Sequence, residues 1–319
     1  MLKSPAFWHK KSSLAAIVLS PLGFLYGVVA SIKQRVSRPQ KLGVPVLCIG
    51  NAVLGGAGKT PTAIAIARML QSSGHTPHIL TRGYGRRSRA LLRVDPNLHN
   101  FADVGDEPLL LGSNAPTWVY HDRASAGKQA IAAGATILMM DDGYQNTQIV
   151  KDRHLLVVDA AQGIGNGKVF PAGPLREFLG AALLRADAIV MIGEGDCRLP
   201  YDGPVFRAHL VPQSTTFAAN TEVVAFAGIG YPPKFQKTLE GIPLSIKQFV
   251  SFPDHHPYKA RDIEPLLAIG LPLITTEKDW LRLPTIYQPH VHVLKVELQM
   301  TDPVAFQKWL EMRFPFSIT

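Results

Sequence analysis

The sequence has few cysteines and few charged residues for its length. Only Cys48 and Cys197 occur in 319 residues, which excludes the disulfide framework of a small secreted protein. Cys48 lies in the apolar run VPVLCIG, which predicts a buried strand and favours a reducing compartment. Charged residues make up 18% of the chain and hydrophobic residues 46%, so intrinsic disorder and coiled coil are excluded.

Acidic residues are also few. The 24 Asp and Glu residues oppose 33 Lys and Arg residues, a formal net charge of +9. This balance favours an anionic partner, either phosphate, nucleic acid or a membrane surface. The length suffices for one large domain or two modest ones, and neither internal repeats nor low-complexity tracts occur.

One long uncharged segment lies near the N-terminus. Residues 14–32 contain nineteen consecutive uncharged residues, close to the roughly 20 that a spanning helix needs. Basic residues flank this segment on both sides: Lys10, Lys11, Lys33, Arg35, Arg38 and Lys41. Pro21 and Gly23 are expected to interrupt its middle. A kinked core helix stays open as an alternative, but we expect residues 1–40 to form a membrane anchor that spans or lies in one leaflet.

Beyond the anchor, strands and helices alternate. Short apolar runs that end in Gly or Asp predict strands at 44–50, 78–80, 136–142, 155–160 and 189–193. Helical patterns lie between several of them, at 61–71 and 124–133. This rhythm predicts an α/β/α core with a mostly parallel sheet and helices on both faces.

A second set of strands predicts a smaller α/β unit. Its predicted strands are 223–230, 246–252 and 272–276. The alternating runs 205–212 and 290–300 are expected to pair as a two-stranded linker, and the helix 303–313 to return to the first unit. The expected domains are therefore an anchor (1–40), a core domain (41–204), a smaller domain (205–300) and a returning C-terminal segment (301–319).

The strongest chemical motif follows the first core strand. Gly55, Gly56 and Gly58 can turn backbone N–H groups toward phosphate oxygens, Lys59 adds a positive charge, and Thr60 offers a hydroxyl for Mg²⁺. Ala57 and Pro61 complete the loop and the first helical turn. The strict GxxxxGK[ST] pattern fails, because its first glycine would fall at Val53. We nevertheless interpret GGAGKT as a P-loop that binds a nucleoside triphosphate.

Further polar motifs lie in loops. Asp141 and Asp142 end an apolar strand, where a carboxylate can hold Mg²⁺ directly or through water. The other motifs that can contact phosphate, substrate or nucleotide are TRGYGRR with Arg82, Arg86 and Arg87, DVGDEP with Asp103, Asp106 and Glu107, GNGKVFPAGPLRE with Arg176 and Glu177, and FPDHHPY with Asp254, His255 and His256. No second cluster with metal-like spacing supports a zinc site.

In their order along the chain, these motifs resemble one family. GGAGKTP, TRGYGR, VGDEP, DDGYQ, GNGKVFPAGPLRE, AFAGIGYPPKF, FPDHHPY and TTEKD are similar to the motifs of the tetraacyldisaccharide 4'-kinases, the lipid A 4'-kinases of Gram-negative bacteria. The resemblance covers roughly residues 15–283. It implies ATP- and Mg²⁺-dependent phosphorylation of the 4'-hydroxyl of a tetraacylated glucosamine disaccharide 1-phosphate, at the anionic cytoplasmic face of the inner membrane. It also implies two α/β/α domains that close on the nucleotide.

The resemblance assigns the base to Asp106, paired with His255 in the second domain, so that the pair would form when the domains close. Phosphoryl transfer needs charge neutralisation, which we assign to Lys59 at the β- and γ-phosphates. The expected metal ligands are Thr60, Asp141 and Asp142. The weaker candidates for substrate or nucleotide contacts are Asn51, Arg82, Arg86, Gln145, Arg176 and Glu177.

Two other functions compete with this interpretation. A P-loop GTPase or ATPase of the protein-targeting kind would also have a deviant loop and membrane contact, and TTEKD (275–279) faintly resembles a guanine-reading element. A nucleic-acid-binding module is suggested only by the charge. Because the arginines lie in glycine loops without interleaved stacking aromatics, we expect no nucleic-acid partner.

Overall fold

The computed structural model describes residues 5–10, 12–213 and 217–314. Lys11 in the anchor and residues 315–319 of the expected C-terminal segment lie outside the described residues. The strands, in chain order, are β1 (Val46–Gly50), β2 (Pro77–Thr81), β3 (Leu92–Arg93), β4 (Thr117–Val119), β5 (Ile137–Asp141), β6 (Arg153–Asp159), β7 (Ala188–Ile192), β8 (Val205–Pro212), β9 (Thr221–Ala227), β10 (Leu244–Ser251), β11 (Leu273–Thr276), β12 (Val291–Leu294) and β13 (Val296–Met300).

Helices alternate with these strands. The α-helices are α1 (Leu14–Val36), α2 (Lys59–Ser72), α3 (Phe101–Val104), α4 (Asp106–Gly112), α5 (Arg123–Ala132), α6 (Leu179–Arg185), α7 (Pro232–Glu240), α8 (Ala260–Leu267), α9 (Glu277–Leu281) and α10 (Pro303–Arg313). Two short 3₁₀ helices cover Ala6–His9 and Gln288–His290.

Within the described residues, nine strands form a large sheet in the order β13-β8-β7-β6-β1-β5-β2-β4-β3. The seven strands from β8 to β4 run parallel, and only the edge strands β13 and β3 are antiparallel to their neighbours. All five residues of β1 are buried, as expected for a parallel strand that is covered on both faces. The predicted α/β/α architecture is confirmed.

Side chains alternate between the two covered faces of the large sheet. Leu47 and Ile49 pack with residues of α2 and with Phe306 and Leu310 of α10. Cys48, between them, points to the opposite face, where it packs with Tyr144 and residues of α6. The C-terminal helix therefore buries its apolar side chains against the large sheet.

The small sheet has the order β10-β9-β11-β12, and its strands all run parallel. Val224 and Phe226 of β9 pack against α8, whereas Ala225 packs on the other face with Phe235 and Leu239 of α7. We call this sheet with α7, α8 and α9 the small unit, and the large sheet with its helices the large unit.

The expected linker strands pair, but one prediction about them was wrong. Val296 lies opposite Pro212 in the antiparallel β8–β13 pair. The run 290–300 is not one strand, however, since β12 joins the small sheet and β13 the large one. Lys295 separates them, and no glycine or proline marks the break. Because β8 also pairs with β7, a boundary at 204 would cut the large sheet, and the division into domains stays a proposal.

Helix α1 docks on the large unit by one face. It continues through Pro21, so the expected interruption was wrong. Gly23 and Gly27 are buried where the helix meets this unit. A Cβ added at Gly23 would lie 2.5 Å from the Val169 carbonyl oxygen, and a Cβ added at Gly27 would lie 2.6 Å from the Phe178 ring. Small residues four apart thus let the helix approach the loop closely.

The opposite face of α1 is apolar and exposed. Its exposed side chains are Leu14, Ile17, Val18, Leu22, Phe24, Leu25, Tyr26, Val29, Ile32 and Val36. Among the described helices, α1 alone is long and apolar enough to cross a membrane, with a mean hydropathy of 2.0. Large apolar surfaces of this kind on soluble proteins usually mark contact with a partner or a membrane.

A buried histidine makes the stability of the large unit sensitive to pH. His78 of β2 is 1% exposed, and its Nδ1 accepts a hydrogen bond of 3.2 Å from the indole N–H of Trp118. Burial, aided by the charge of Arg93, lowers the pKa of His78 from 6.5 to about 4. The unfolded chain therefore binds this proton at a higher pH than the folded chain does. The free energy of unfolding falls as the pH drops from 6.5 to about 4.

We expect His78→Gln to reduce this loss of stability by on the order of 1 kcal/mol for each pH unit below the histidine's ordinary pKa. Glutamine is neutral, carries an oxygen acceptor and binds no proton. Urea unfolding at about pH 7 and about pH 5 measures the effect, with the exposed His209→Gln as the control. An unchanged pH dependence in His78→Gln would contradict the assignment of a buried neutral histidine.

Candidate active site

The site lies where the carboxyl ends of two central strands meet. Ile49 of β1 is in register with Asp141 of β5, so the loop after β1 and the acidic pair after β5 start side by side. The carboxyl ends of parallel strands are the usual ligand edge of such sheets. The first two predicted motifs are therefore brought together.

The P-loop has the backbone that its glycines allow. Gly58 takes φ 92° as the N-cap of α2, and a Cβ there would lie 2.6 Å from Ile192 Cδ1. Gly55 has φ 121°, and a Cβ added at Gly55 or at Gly56 would meet no atom within 4 Å. Since α2 begins directly at Lys59, its free N–H groups and positive dipole end point into the loop. This geometry suits a phosphate group.

Two groups hold the P-loop lysine. The Lys59 ammonium lies 3.2 Å from Asn51 Oδ1 and 3.6 Å from Asp142 Oδ1. Asn51 is fully buried and also donates to the Gly55 carbonyl at 3.4 Å. It therefore braces the loop and the lysine, whereas the sequence suggested a substrate or nucleotide contact.

Asp141 is a buried carboxyl with a free acceptor. Its Oδ2 accepts a 3.3 Å hydrogen bond from Thr81, and its Oδ1 is buried without a hydrogen-bond partner. Burial, together with the charges of Glu107 and Asp142, raises the pKa of Asp141 to about 7. A cation beside Oδ1 would satisfy this atom and favour its charged form.

The residues present fit Mg²⁺. Thr60, in the first turn of α2 after the P-loop, is 4% exposed. Asp141 supplies the unpartnered oxygen. The described residues contain no group of three or more His, Cys, Asp or Glu side chains arranged for a metal ion. Mg²⁺ typically uses one or two protein oxygens, and substrate phosphates and water complete its shell.

Asp142 has other partners. Its backbone has φ 49°, a left-handed conformation that aspartate tolerates better than most residues. Arg176 Nη1 donates to both of its oxygens, at 2.8 and 3.0 Å. Burial raises the pKa of Asp142, but the charges of Lys59 and Arg176 outweigh burial and hold it below its usual value.

Glu177 and Gln145 support the P-loop from its buried side. Glu177 is 1% exposed, and its Oε1 accepts a 2.9 Å hydrogen bond from Gln145. Gln145 also donates to the Asn51 carbonyl at 3.3 Å. Both were predicted as substrate or nucleotide contacts, but the structure gives Glu177 buried protein partners and places Gln145 between it and the P-loop.

The proposed base and its histidine touch across the two units. His255 Nδ1 lies 3.1 Å from Asp106 Oδ2, and Arg282 Nε lies 3.2 Å from the same oxygen. His255, after β10, has φ 56°, a strained conformation of the kind that concentrates at functional sites. The pair is formed in this structure, and its dependence on domain closure stays a prediction.

Electrostatics keep Asp106 ionised. Its burial raises the pKa, but the hydrogen bond to His255 and the charges of Lys278 and Arg282 outweigh burial, so the pKa of Asp106 lies well below its ordinary value. The same hydrogen bond raises the pKa of His255. At neutral pH the pair therefore contains a carboxylate that can accept a hydrogen bond from a hydroxyl.

The TTEKD segment holds the two units together and was not predicted to do so. Lys278 donates to Glu107 at 2.6 Å. Asp279 is fully buried and accepts from Tyr258 and from Arg282, at 2.7 and 3.0 Å. Because Lys278 and Asp279 already have these protein partners, they do not present a guanine-reading pair. The motif was visible in the sequence, but its partners, such as Glu107, lie far away along the chain.

Electrostatic attraction between Lys59 and Glu107 links the P-loop to the residues around Asp106. Lys278 lowers the pKa of Glu107 most, and Lys59 lowers it further. The loop after β9 also approaches the P-loop, since a Cβ on Gly230 would lie 3.5 Å from the Gly56 nitrogen. The small unit therefore covers the edge of the large sheet that carries the P-loop.

The arginine loop is only partly available to a ligand. Arg86 donates to the carbonyl oxygens of Ala90 and Val119, at 2.8 and 3.2 Å, so it fixes its own loop. Arg82 and Arg87 are exposed. Tyr84 in the same loop lies 5.5 Å from the His255 ring, measured between centroids. Of the three arginines in this motif, Arg82 and Arg87 are therefore left to meet an anionic ligand.

Comparison with known proteins identifies the family. Residues 15–315 match the tetraacyldisaccharide-1-P 4'-kinase family. The chain belongs to this family. A tetraacyldisaccharide 4'-kinase of Methylobacterium nodulans is 46% identical, over 95% of this chain and 94% of the relative. A second, of Nitrobacter winogradskyi, is 45% identical, over 88% of this chain and 87% of the relative.

A solved structure supports the same family. The crystal structure of LpxK from Aquifex aeolicus in complex with ATP superposes with a TM-score of 0.77 and 26% sequence identity, covering 94% of this chain and 100% of that chain. The predicted tetraacyldisaccharide 4'-kinase family and the P-loop kinase fold are confirmed.

Proposed function

We propose that this chain transfers the γ-phosphoryl group of ATP to the 4'-hydroxyl of a tetraacyldisaccharide 1-phosphate, a step of lipid A biosynthesis. Its relatives are named for this activity, and the related LpxK structure contains ATP. The observation that carries the proposal is the meeting of two centres at one sheet edge: the P-loop with Lys59, and the Asp106–His255 pair at 3.1 Å.

In this mechanism the P-loop backbone and Lys59 hold the β- and γ-phosphates. Phosphoryl transfer has a loose transition state, so positioning and charge stabilisation supply most of the catalysis. Asp106, an ionised carboxylate, accepts the hydrogen bond of the attacking hydroxyl and then its proton. His255 orients that carboxylate through the contact between its Nδ1 and Asp106 Oδ2.

Thr60 and Asp141 are the residues that would hold Mg²⁺. When bound, the ion neutralises charge on the β- and γ-phosphates. Asp142, which Arg176 and Lys59 already neutralise, keeps Lys59 directed into the loop. We therefore assign direct metal contact to Asp141 and a positioning role to Asp142.

We place the reaction at the anionic cytoplasmic face of the inner membrane. The docked α1 has an exposed apolar face, and Lys33 and Arg35 in its last turn are exposed. An apolar face beside basic residues fits a helix that lies in one leaflet and meets anionic headgroups. We infer that the acylated acceptor lies in the same leaflet, because its acyl chains partition into lipid.

We expect Leu25→Glu with Val29→Glu to weaken membrane binding and to raise the apparent KM for a membrane-presented acceptor. Both side chains are exposed, at 58%, so the docked face of α1 is left intact. The KM for ATP should stay the same, because the anchor mainly co-localises enzyme and lipid. Flotation with anionic vesicles and steady-state kinetics measure these effects. Full flotation of the double variant in high salt would place the membrane contact elsewhere.

Nucleotide turnover with and without acceptor tests the proposed function against a P-loop GTPase. We expect phosphate transfer from ATP that depends on the tetraacyldisaccharide acceptor, and much slower turnover of GTP. GTP hydrolysis that is equally fast without the acceptor would overturn the proposal.

A further inference from the structure

The docked face of α1 ends at a polar residue that reaches the active-site loop. Ala16, Ser20, Gly23, Gly27, Ser31 and Gln34 follow one another at spacings of three or four and are buried or half-buried, so they share one side of the helix. Gln34 Oε1 accepts a 2.6 Å hydrogen bond from Arg185, and Gln34 Nε2 donates to Glu177 Oε2 at 3.2 Å. Its neighbours Lys33 and Arg35 are exposed.

Glu177 is a buried charge whose hydrogen bonds come from three elements. Arg185 of α6 donates to Oε2 at 2.6 Å, Gln34 of α1 donates to the same oxygen, and Gln145 donates to Oε1. A buried carboxylate is tolerated only when it is paired and hydrogen-bonded. The position of Glu177 therefore depends on α1 as well as on the large unit.

From Glu177 the hydrogen bonds continue to the catalytic lysine. A carboxylate only accepts hydrogen bonds, so Gln145 must turn its nitrogen to Glu177. Its oxygen then faces Arg176 at 3.4 Å, and its nitrogen also reaches the Asn51 carbonyl. Asn51 in turn holds Lys59.

We propose that Gln34 is a positioning residue for phosphoryl transfer: through Glu177 and Gln145 it fixes Asn51 and Arg176, which hold Lys59 and Asp142. This inference rests on the proposed kinase function. It makes the membrane helix part of the catalytic framework in addition to its contact with lipid. The chain of contacts explains why a glutamine ends the docked face of this helix.

The test compares two replacements of Gln34 in the full-length protein. Gln34→Met keeps the length and helix propensity of the side chain, but it cannot donate to Glu177 and its sulfur is only a weak acceptor for Arg185. Gln34→Ala removes the side chain as well. We expect both to lower kcat by about tenfold, with little change in the acceptor KM or in flotation with anionic vesicles. Ser31→Ala is the matched control, because the Ser31 hydroxyl donates to Gly27 within the helix. It should behave like the wild type.

A kcat for Gln34→Met equal to that of the wild type would overturn the inference and leave Gln34 as a packing residue. A loss confined to flotation or acceptor KM would also overturn it and assign Gln34 to membrane binding. Combining Gln34→Met with Gln145→Met should lower kcat no further than the more damaging single change, whereas independent residues would multiply their effects. If the wild type itself transfers no phosphate to the acceptor, the proposed function fails. That result is distinct from the outcomes above, because it is obtained without any Gln34 variant.

Discussion

Replacing Lys59 with alanine is expected to lower phosphate transfer by about 10³-fold or more. The ammonium group is the only side-chain cation that the P-loop itself contributes, and its role is to neutralise charge on the transferred group. The fold should survive, because Asp142 keeps both hydrogen bonds from Arg176 and Asn51 is braced by Gly55.

The measurement is single-turnover transfer from ATP, with thermal unfolding to confirm the fold. Lys128→Ala on α5 is the control, since this lysine is exposed and lies outside the site. Near-normal transfer by a folded Lys59→Ala protein would remove the P-loop assignment.

Replacing Asp106 with asparagine should lower kcat by about 10²–10⁴-fold and leave ATP binding nearly unchanged. Asparagine keeps the shape of the side chain but cannot take the proton of the attacking hydroxyl. Arg282 would not be left unpaired, because it also donates to Asp279 at 3.0 Å. His255→Ala should be milder, since the carboxylate remains.

The double variant distinguishes a catalytic pair from two independent residues. If His255 acts through Asp106, adding His255→Ala to Asp106→Asn should cost little more. Two losses that multiply, or a large rise in the nucleotide Kd for Asp106→Asn, would indicate instead that Asp106 serves Mg²⁺-nucleotide binding and that His255 only packs in its turn.

The sequence predicted those parts of the site whose chemistry is local. The P-loop is a contiguous segment, and its glycines, lysine and threonine are visible without a partner. Asp106 and His255 were found through the family resemblance, although 149 positions separate them. Arg282 and Lys278 were missed because the carboxylates of Asp106 and Glu107 that they meet lie in the large unit, far away along the chain. No local pattern shows which carboxylate a basic side chain will meet.

Tertiary packing also explains what the local sequence pattern did not predict. Pro21 and Gly23 indicated an interrupted helix, but the docked loop requires the small residue at Gly23 and the helix continues. Glu177 follows Arg176 in one motif, yet Arg176 meets Asp142 and Glu177 turns to the buried side. Adjacent side chains of an irregular loop can point in opposite directions, and the sequence does not show which direction each side chain takes.

The most direct test of the account is to locate the phosphate on the product. Wild-type protein is incubated with ATP, Mg²⁺ and the tetraacyldisaccharide 1-phosphate, and the lipid is analysed by mass spectrometry and by ³¹P–¹H correlation. We predict that the acceptor gains one phosphoryl group, coupled to the proton at the 4' carbon. ATP consumption without a phosphorylated lipid, or a phosphate at any other position, would contradict the account.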